Sequence, residues 1–261
     1  MRILITGANG YIGKSLYNAL KDKYEVTAIT RSSFDLTNAS AMSEFFQSRY
    51  PFDVVLHCAI AGATNPRDSN WTIADTNLVM YYNLFQNKQY YKKLIHFGSG
   101  AETYLPSTPY GYSKKAIAKS ILNQDHFYNL KIFGVFDENE LDTRFIKANI
   151  KRYLNKESIQ IHEAKFMDFF YMQDLIKVVE YYINEKELPK EFDCVYPESF
   201  YSLFGLATII SELDNYKVEV VYGDKVGEDY VSKYRSKLPI EFTGLQEGIQ
   251  ITYDKIKNES N

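Results

Sequence analysis

Several features that define whole classes of protein are scarce in this sequence. Among 261 residues only Cys58 and Cys194 are cysteines, and both fall in predicted strands, so buried thiols are favoured over a disulfide or a metal pair. No apolar run approaches the ~20 residues that a membrane-spanning helix needs. The net charge of -3 offers no basic surface for nucleic acid. Because Met1 leads straight into a core strand, no signal segment is expected. These absences predict a cytoplasmic protein without a metal, a membrane or a nucleic-acid partner.

What the chain does contain is an alternation of short apolar strands and amphipathic helices. In the first half, strands are predicted at residues 3–5, 24–30, 52–59, 93–97 and 128–133, and helices from residue 12 onward and at 39–49, 70–87 and 110–123. This alternation predicts an α/β fold with a doubly wound parallel sheet. After Gly134 the pattern loosens, with helices predicted at 143–155, 173–184, 202–213 and 245–258 and strands at 159–161, 169–171, 192–195 and 218–221.

The loop after the first strand carries three glycines, Gly7, Gly10 and Gly13, in the spacing GxxGxxG. The first glycine allows a tight turn, and the second lets a pyrophosphate approach the backbone. The third lets helix and strand pack closely, and the helix N-terminus presents free N–H groups to the anion. Strand, glycine loop and helix in this order predict a dinucleotide-binding site.

Tyr110 and Lys114 lie four residues apart at the start of a predicted helix, so both side chains are expected on one face. A phenol with a reference pKa near 10 is a poor acid–base group at neutral pH. An ammonium ~4 Å away favours the phenolate by about 4 kcal/mol, which corresponds to roughly three pK units as an upper bound. The pair can therefore donate or accept a proton for a carbonyl/alcohol couple.

The glycine loop and the YxxxK pair together resemble the short-chain dehydrogenase/reductase superfamily, in its extended, sugar-nucleotide branch. The resemblance implies a Rossmann domain at residues 1–134, with parts of the later chain, and a small C-terminal α/β substrate-binding lobe at residues 135–261. It implies that Tyr110 is the acid–base group and that Lys114 also holds the nicotinamide ribose. Relatives often dimerise through the two helices predicted at 70–87 and 110–123, so a homodimer is expected.

Arg31, at the end of the second strand, occupies the place where an acidic residue would favour NAD by bonding the ribose 2′-hydroxyl. A guanidinium suits a 2′-phosphate instead, which favours NADP(H), with NAD(H) possible. Asp35 and Leu36 resemble the element that lies against the adenine, and residues 57–62 resemble the small-residue segment that the cofactor passes. The predicted cofactor-binding residues are Gly7, Asn9, Gly10, Tyr11, Ile12, Gly13, Arg31, Asp35, Leu36, Cys58, Ala59, Ile60, Ala61, Asn77, Phe97, Tyr110, Lys114, Phe133 and Val135.

The third catalytic member of the superfamily is a Ser or Thr that bonds the substrate oxygen. Its usual position, counted back from Tyr104, is taken by Gly100, and Ser99 lies one residue earlier. Either the loop is shifted by one residue so that Ser99 supplies the hydroxyl, or a neighbour such as Thr103 supplies it, or the site is weakened. In the second half, Met167 replaces the arginine that touches the sugar-nucleotide phosphates in many relatives. The predicted substrate-binding residues are Ser99, Gly100, Ala101, Gly134, Arg144 and Lys165.

The favoured function is an NADPH-dependent reductase of a keto group on a nucleotide-linked deoxysugar, similar to 4-keto-6-deoxysugar reductases and GDP-fucose synthase. Arg31 indicates NADPH, which a reductase consumes, whereas epimerases and dehydratases recycle a tightly held NAD. The acid–base Asp-Glu pair of the 4,6-dehydratases is missing, since Glu102 stands alone. An NAD-dependent nucleotide-sugar epimerase or dehydratase, and a redox-sensing protein that binds a dinucleotide without turnover, stay open as alternatives.

Overall fold

The computed structural model describes residues 1–49, 51–198 and 201–259. The chain divides into two compact units, the first made of Met1–Lys131 and Glu180–Phe192 and the second of Ile132–Val179 and Asp193–Asn261. The division predicted from the sequence, at residue 134, lies three residues beyond the end of Met1–Lys131. The assignment of the first unit to the cofactor and of the second to the substrate remains a prediction.

Strands and helices alternate along most of the chain. The strands are β1 (Arg2–Thr6), β2 (Glu25–Ile29), β3 (Phe52–His57), β4 (Tyr91–Ser99), β5 (Phe127–Ile132), β6 (Val135–Phe136), β7 (Ile159–Ala164), β8 (Phe170–Tyr171), β9 (Glu191–Cys194) and β10 (Val220–Val226). The helices are α1 (Tyr11–Leu20), α2 (Ala39–Gln47), α3 (Thr72–Gln86), α4 (Ala101–Tyr104), α5 (Pro109–Leu122), α6 (Phe145–Leu154), α7 (Met172–Asn184), α8 (Leu203–Ile210) and α9 (Leu245–Glu259). A 3₁₀ turn, Lys88–Tyr90, precedes β4.

The first unit is built on a six-stranded sheet in the order β2-β1-β3-β4-β5-β9. Strands β1 and β2, β1 and β3, and β3 and β4 pair in parallel. The chain steps outward from β1 to β2 and then returns past β1 to β3, so the direction of winding reverses between β1 and β3. In sheets of this kind ligands bind beyond the carboxyl ends of the strands at that reversal. The predicted doubly wound α/β fold is confirmed.

Apolar side chains from the sheet and its helices form the core of the first unit. Leu4, Val55 and Leu94 on neighbouring strands are fully buried, and Phe46 and Leu84 pack on them from α2 and α3. Burial of a large aliphatic or aromatic side chain contributes about 1.5–3 kcal/mol. The sheet is thereby held rigidly under the loops at its carboxyl edge.

Side-chain caps fix where several helices begin. The Asn38 side chain accepts a hydrogen bond from the Ala41 N–H at 3.1 Å, as predicted for the start of α2. Thr108 accepts from the Gly111 N–H at 3.1 Å, and Pro109 follows it in the first turn of α5. Such a cap is typically worth ~1 kcal/mol. It sets the orientation of the helix that carries Tyr110 and Lys114.

The second unit has two small sheets, in which β7 pairs with β10 and β6 with β8, both in parallel. Tyr153 is fully buried, and its ring stacks on that of Tyr216 at 4.4 Å between centroids. The guanidinium of Arg235 binds both carboxylate oxygens of Asp168, at 2.7 and 2.8 Å. Charge-assisted pairs of this geometry are the stronger kind of hydrogen bond.

The differences from the predicted elements are local. Cys58 lies one residue beyond the end of β3 and is partly exposed, because the strand ends at His57. Cys194 is buried in β9, as predicted. β10 runs to Val226 rather than residue 221, past a register shift after Tyr222. Within the described residues, no helix is both long and apolar enough to cross a bilayer.

Candidate active site

The glycine loop after β1 has the close backbone contacts that a phosphate-binding turn requires. Gly7 has φ of +68°, and a Cβ there would lie 2.6 Å from the Ala59 Cα. A Cβ on Gly13 would lie 2.3 Å from the Gly7 carbonyl oxygen, so α1 packs directly on the turn. Asn9 and Gly10 are exposed at the N-terminus of α1, and the first-turn N–H groups of a helix have no partner within it. The loop is thus a cradle that suits the pyrophosphate of a dinucleotide.

The loop after β2 places hydroxyl groups beside the predicted 2′-phosphate residue. Arg31 is exposed, and Ser32 and Ser33 follow it, with the Ser33 Oγ accepting from the Thr30 N–H at 3.2 Å. Further on, hydrogen bonds from the backbone N–H and the hydroxyl of Thr37, both at 2.9 Å, hold the pKa of Asp35 below its usual range. Leu36 is 7% exposed and packs in the core, so any adenine contact is limited to its edge or its backbone.

The loop after β3 is held by a single buried side chain from α3. Asn77 is 1% exposed, and its Oδ1 accepts from the Ala61 N–H at 2.8 Å while its Nδ2 donates to the Ala61 carbonyl at 3.1 Å. The same Nδ2 donates to Ser113 Oγ at 3.0 Å, and Ser113 donates to the Tyr110 carbonyl at 2.8 Å. Asn77, predicted as a cofactor contact, therefore links the loop at Cys58, Ala59, Ile60 and Ala61 to the helix of Tyr110.

Tyr110 and Lys114 lie on the same side of α5, and both are buried. The Lys114 ammonium is 5.9 Å from the centre of the Tyr110 ring and donates to the carbonyl oxygen of Phe97 on β4. Burial lowers the pKa of Lys114 to about 8, against the opposing effects of Glu102 and Cys58. At pH 7 the lysine is therefore mostly protonated, and it can stabilise negative charge on the phenol.

The loop that follows β4 places Ser99 rather than Thr103 at the buried position. Ser99 is 8% exposed at the end of β4, and its Oγ accepts from the Ala101 N–H at 3.1 Å. Gly100 is the N-cap residue of α4 and Ala101 opens that helix, whereas Thr103 on the same helix is exposed. Ser99 is thus the buried one of these two hydroxyl groups, and its role in bonding the substrate oxygen stays a prediction.

Two histidines lie buried in β3 and β4. Thr6 Oγ1 and His57 Nδ1 are 2.9 Å apart, and burial lowers the pKa of His57 to about 3. His96 is 0% exposed, and neither of its ring nitrogens has a hydrogen-bond partner among the described residues. Burial also lowers the pKa of His96, so both rings are neutral at physiological pH.

The remaining predicted residues belong to the second unit and are described with it. Phe133 and Val135 are buried, and a Cβ on Gly134 would lie 3.0 Å from the Phe169 ring. Arg144 is the exposed N-cap residue of α6, and Lys165 forms a 3.1 Å ion pair with Glu163. The structure thus places the predicted catalytic residues and most predicted cofactor residues in the first unit, and the residues just described in the second.

Three charged residues near or within these elements were not among the site residues predicted from the sequence. Glu102 and Lys131 form a 3.6 Å ion pair in the first unit, with side chains 6% and 12% exposed. Arg235 in the second unit is bound to Asp168. The sequence offered one signal, Gly98 inside a strand, since a lone glycine in a strand marks a close approach. Among the residues that the structure describes, no group of His, Cys, Asp or Glu is arranged to hold a metal.

Comparison with known proteins agrees with this geometry. The model of the NAD dependent epimerase/dehydratase family matches residues 3–194. The chain belongs to that family. Membership confirms the prediction of an enzyme that uses a nicotinamide dinucleotide, and the predicted resemblance to the sugar-nucleotide branch.

Individual relatives are distant but cover nearly the whole chain. CDP-abequose synthase of Yersinia pseudotuberculosis is 21% identical over 90% of this chain and 94% of its own length. The UDP-glucose 4-epimerase of Thermotoga maritima, solved with UDP-glucose, superposes with a TM-score of 0.79 at 18% identity over 100% of both chains. The GDP-mannoheptose C4 reductase of Campylobacter jejuni, solved with NADP, gives 0.79 at 18% identity over 98% of both chains. At this identity the superpositions establish the fold alone.

Proposed function

We propose that the protein is an NADPH-dependent reductase of a keto group on a nucleotide-activated deoxysugar. The observation that carries the choice of reductase is the loop after β2, where Arg31 stands exposed beside Ser32 and Ser33. An arginine with neighbouring hydroxyls suits a 2′-phosphate, and NADPH is the cofactor that reductive steps consume. Two of the relatives described above, a CDP-abequose synthase and a C4 reductase solved with NADP, support this reading.

The first unit supplies the groups that this reaction needs. Gly7, Gly10 and Gly13 would hold the pyrophosphate, and Arg31 the 2′-phosphate. When bound, the dinucleotide supplies the hydride. The Tyr110 phenol donates the proton to the substrate oxygen, Lys114 stabilises the phenolate that remains, and the Ser99 hydroxyl holds that oxygen by a hydrogen bond.

The second unit would bind the nucleotide sugar, with Gly134 leaving room and Arg144 or Lys165 contacting the diphosphate. Arg144 is exposed at the N-terminus of α6, where the helix dipole also favours an anion. Lys165 carries Glu163 beside it at 3.1 Å, which offsets part of its charge. Met167 contributes no charge.

The test is turnover of the purified wild-type protein. A reductase oxidises NADPH stoichiometrically with a 4-keto-6-deoxy nucleotide sugar, and uses NADH more slowly. Both rates are measured from the loss of cofactor absorbance, with the sugar product identified by mass spectrometry. Interconversion of two hydroxy sugars without net cofactor consumption would replace the proposal with an epimerase. Cofactor binding with no turnover on any nucleotide sugar would leave the redox-sensing alternative.

We also propose a homodimer formed through α3 and α5. Trp71, Val79, Tyr82 and Tyr112 are 40–57% exposed on these helices and the cap before them, and large exposed aromatic groups of this kind mark interfaces. Light scattering should give twice the chain mass, and Tyr82→Glu should give the chain mass itself. A monomeric wild type would reject the dimer. The free thiols Cys58 and Cys194 support the further proposal of a reducing, cytoplasmic location.

A further inference from the structure

Three polar side chains form a row across the middle of the six-stranded sheet of the first unit. Thr6 on β1 pairs in register with His57 on β3, and His57 pairs in register with His96 on β4. Because register partners in a sheet point to the same face, the three side chains lie side by side. They are 0%, 2% and 0% exposed, in that order along the row. Burial of a polar side chain costs free energy unless it is hydrogen-bonded, so a row of this kind in the core requires an explanation.

The two histidines of this row differ in their hydrogen bonds. His57 Nδ1 lies 2.9 Å from Thr6 Oγ1, whereas neither ring nitrogen of His96 has a hydrogen-bond partner among the described residues. Burial lowers the pKa of His57 to about 3, so its ring is neutral at physiological pH. The Nδ1 of a neutral ring can accept the hydrogen of the Thr6 hydroxyl, which leaves the lone pairs of Oγ1 free to accept a further hydrogen bond. His57 can therefore set the direction in which that hydroxyl faces.

The Thr6 hydroxyl holds the loop after β3 against the glycine loop. The Cys58 N–H donates to the Thr6 carbonyl at 3.2 Å, and the next N–H, that of Ala59, donates to Thr6 Oγ1 at 3.4 Å. A Cβ on Gly7 would lie 2.6 Å from both the Cα and the N of Ala59, so the backbones of the two loops are in direct contact. A change in the position of Ala59 would therefore move the turn that is predicted to cradle the pyrophosphate.

We propose that His57 is a positioning residue of the dinucleotide site, which orients the Thr6 hydroxyl toward the Ala59 N–H and so fixes the loop after β3 against Gly7. Because its side chain is buried, it acts through Thr6 and not by touching the cofactor. The proposal rests on the part of the proposed function that places the pyrophosphate at the glycine loop. It does not depend on whether the reaction is a reduction or an epimerisation.

The test compares His57→Leu with His57→Asn, two side chains of similar branched shape, of which only asparagine places a polar atom close to the position of Nδ1. Dissociation constants for NADPH and NADH are measured by fluorescence titration. His57→Leu should weaken the binding of both cofactors by about 3- to 10-fold, the factor that corresponds to the loss of one hydrogen bond. The two cofactors should be affected alike because they share the pyrophosphate. His57→Asn should restore binding to within about twofold of wild type, because the hydrogen bond to Thr6 can form again.

Thr6→Val shows whether His57 acts through the hydroxyl, because valine keeps the shape of threonine and removes Oγ1. It should weaken binding at least as much as His57→Leu, and the double variant should bind no more weakly than Thr6→Val alone, since residues in one hydrogen-bonded chain are not additive. Additive losses in the double variant would overturn the proposal. The matched control is His96→Phe, which changes the equally buried neighbour and should leave both dissociation constants unchanged. A loss of affinity in His96→Phe equal to that in His57→Leu would assign the effect to core packing and would also overturn the proposal.

If His57→Leu does not fold, His57→Phe takes its place, because it keeps a flat ring without a polar atom. Failure of both variants to fold, while His57→Asn folds, would show a role in stability alone and would reject the positioning role. Because the titrations need no sugar substrate, a wild-type protein that binds a dinucleotide without reducing any keto sugar would reject the proposed reaction and leave the comparison of His57 variants readable. A wild type that binds neither cofactor would reject the dinucleotide site, and with it the role of His57.

Discussion

The buried polar contacts around the predicted site of the first unit differ in kind from the charged pairs of the second. In the first unit, neutral groups hold the predicted site: Asn77 and Ser113 hold a loop and a helix together, and the Phe97 carbonyl accepts a hydrogen bond from Lys114. In the second unit, the strongest charged contacts neutralise one another, as in the bond between Arg235 and Asp168. Among the described residues, the polar groups of the first unit converge on Tyr110 and Lys114, so the predictions on the reaction class concern that unit and the predictions on the substrate concern the second.

The largest effect is expected from Tyr110→Phe, which removes the proton donor and keeps the ring. Turnover should fall by ~10²–10⁴, the usual share of general acid–base catalysis. NADPH affinity, measured by fluorescence titration, should change little. Tyr104→Phe, a partly exposed tyrosine on α4, is the matched control and should keep wild-type turnover. Near-normal turnover in Tyr110→Phe would contradict the mechanism, because Tyr110 would then not be the proton donor.

The second largest effect is expected on the preference between NADPH and NADH. Arg31→Asp should weaken NADPH binding by roughly 1.5–3 kcal/mol, or about 10- to 150-fold, because a charge-assisted hydrogen bond to the 2′-phosphate is lost. NADH binding should be affected far less. Lys21→Asp makes the same change of charge at the C-terminal end of α1, away from the glycine loop at its N-terminus, and serves as the control. Equal affinities of the wild type for the two cofactors would count against NADPH preference.

The buried histidine pair makes stability depend on pH. His57 and His96 have folded pKa values below the unfolded value near 6.5, so the unfolded chain binds more protons below that pH. Stability is therefore fully present above pH 6.5 and is lost as the pH falls, by about 1.4 kcal/mol per pH unit for each histidine.

His96→Phe tests this directly, because it removes one titrating ring from the core. The slope of unfolding free energy between pH 6 and 4.5, measured by urea denaturation, should be about 1.4 kcal/mol per pH unit shallower than in wild type. Equal slopes of unfolding free energy against pH in His96→Phe and wild type would contradict the conclusion that burial lowers the pKa of His96.

The smallest effect is expected in the second unit. Arg144→Ala or Lys165→Ala should raise the KM for a nucleotide sugar by several-fold, because each removes one partly solvated charge from the proposed diphosphate site. Cofactor affinity should not change. Lys151→Ala on the same helix, where Lys151 is paired with Asp142 at 2.6 Å, is the control. Wild-type kinetics in both variants would mean that the substrate is not held by its phosphates at these residues.

The sequence predicted the fold closely wherever periodicity was strong. Strands such as β1 and β3 were found to within two residues, because apolar runs bounded by glycine or proline are unambiguous signals. Strand β8 (Phe170–Tyr171) falls within the strand predicted at 169–171, whereas β6 (Val135–Phe136) was not predicted, because a strand of two residues has no period to read. The end of β10 was missed because Gly223 and Asp224 break its apolar pattern.

The features of the candidate site also fall into those that the sequence could predict and those that it could not. The glycine loop and the pair Tyr110 and Lys114 could be predicted because each is defined by spacing along one local segment. The burial of Glu102 could not, since its inward direction depends on Gly98 and on Lys131, which lies on another strand. Likewise, Arg235 and Asp168 are 67 residues apart in the chain, so their pairing follows only from the fold.

The interleaving of the two units has a consequence for how the chain can be made. Strand β5 pairs with β9, and the Asn129 N–H on β5 donates to the Lys190 carbonyl, which the ribosome adds 61 residues later. Until then β5 is an open sheet edge, a template for pairing with another nascent chain. A gene fragment ended at residue 134 would make that exposure permanent. Expression of residues 1–134 alone should therefore give aggregates unless residues 180–192 are supplied with them.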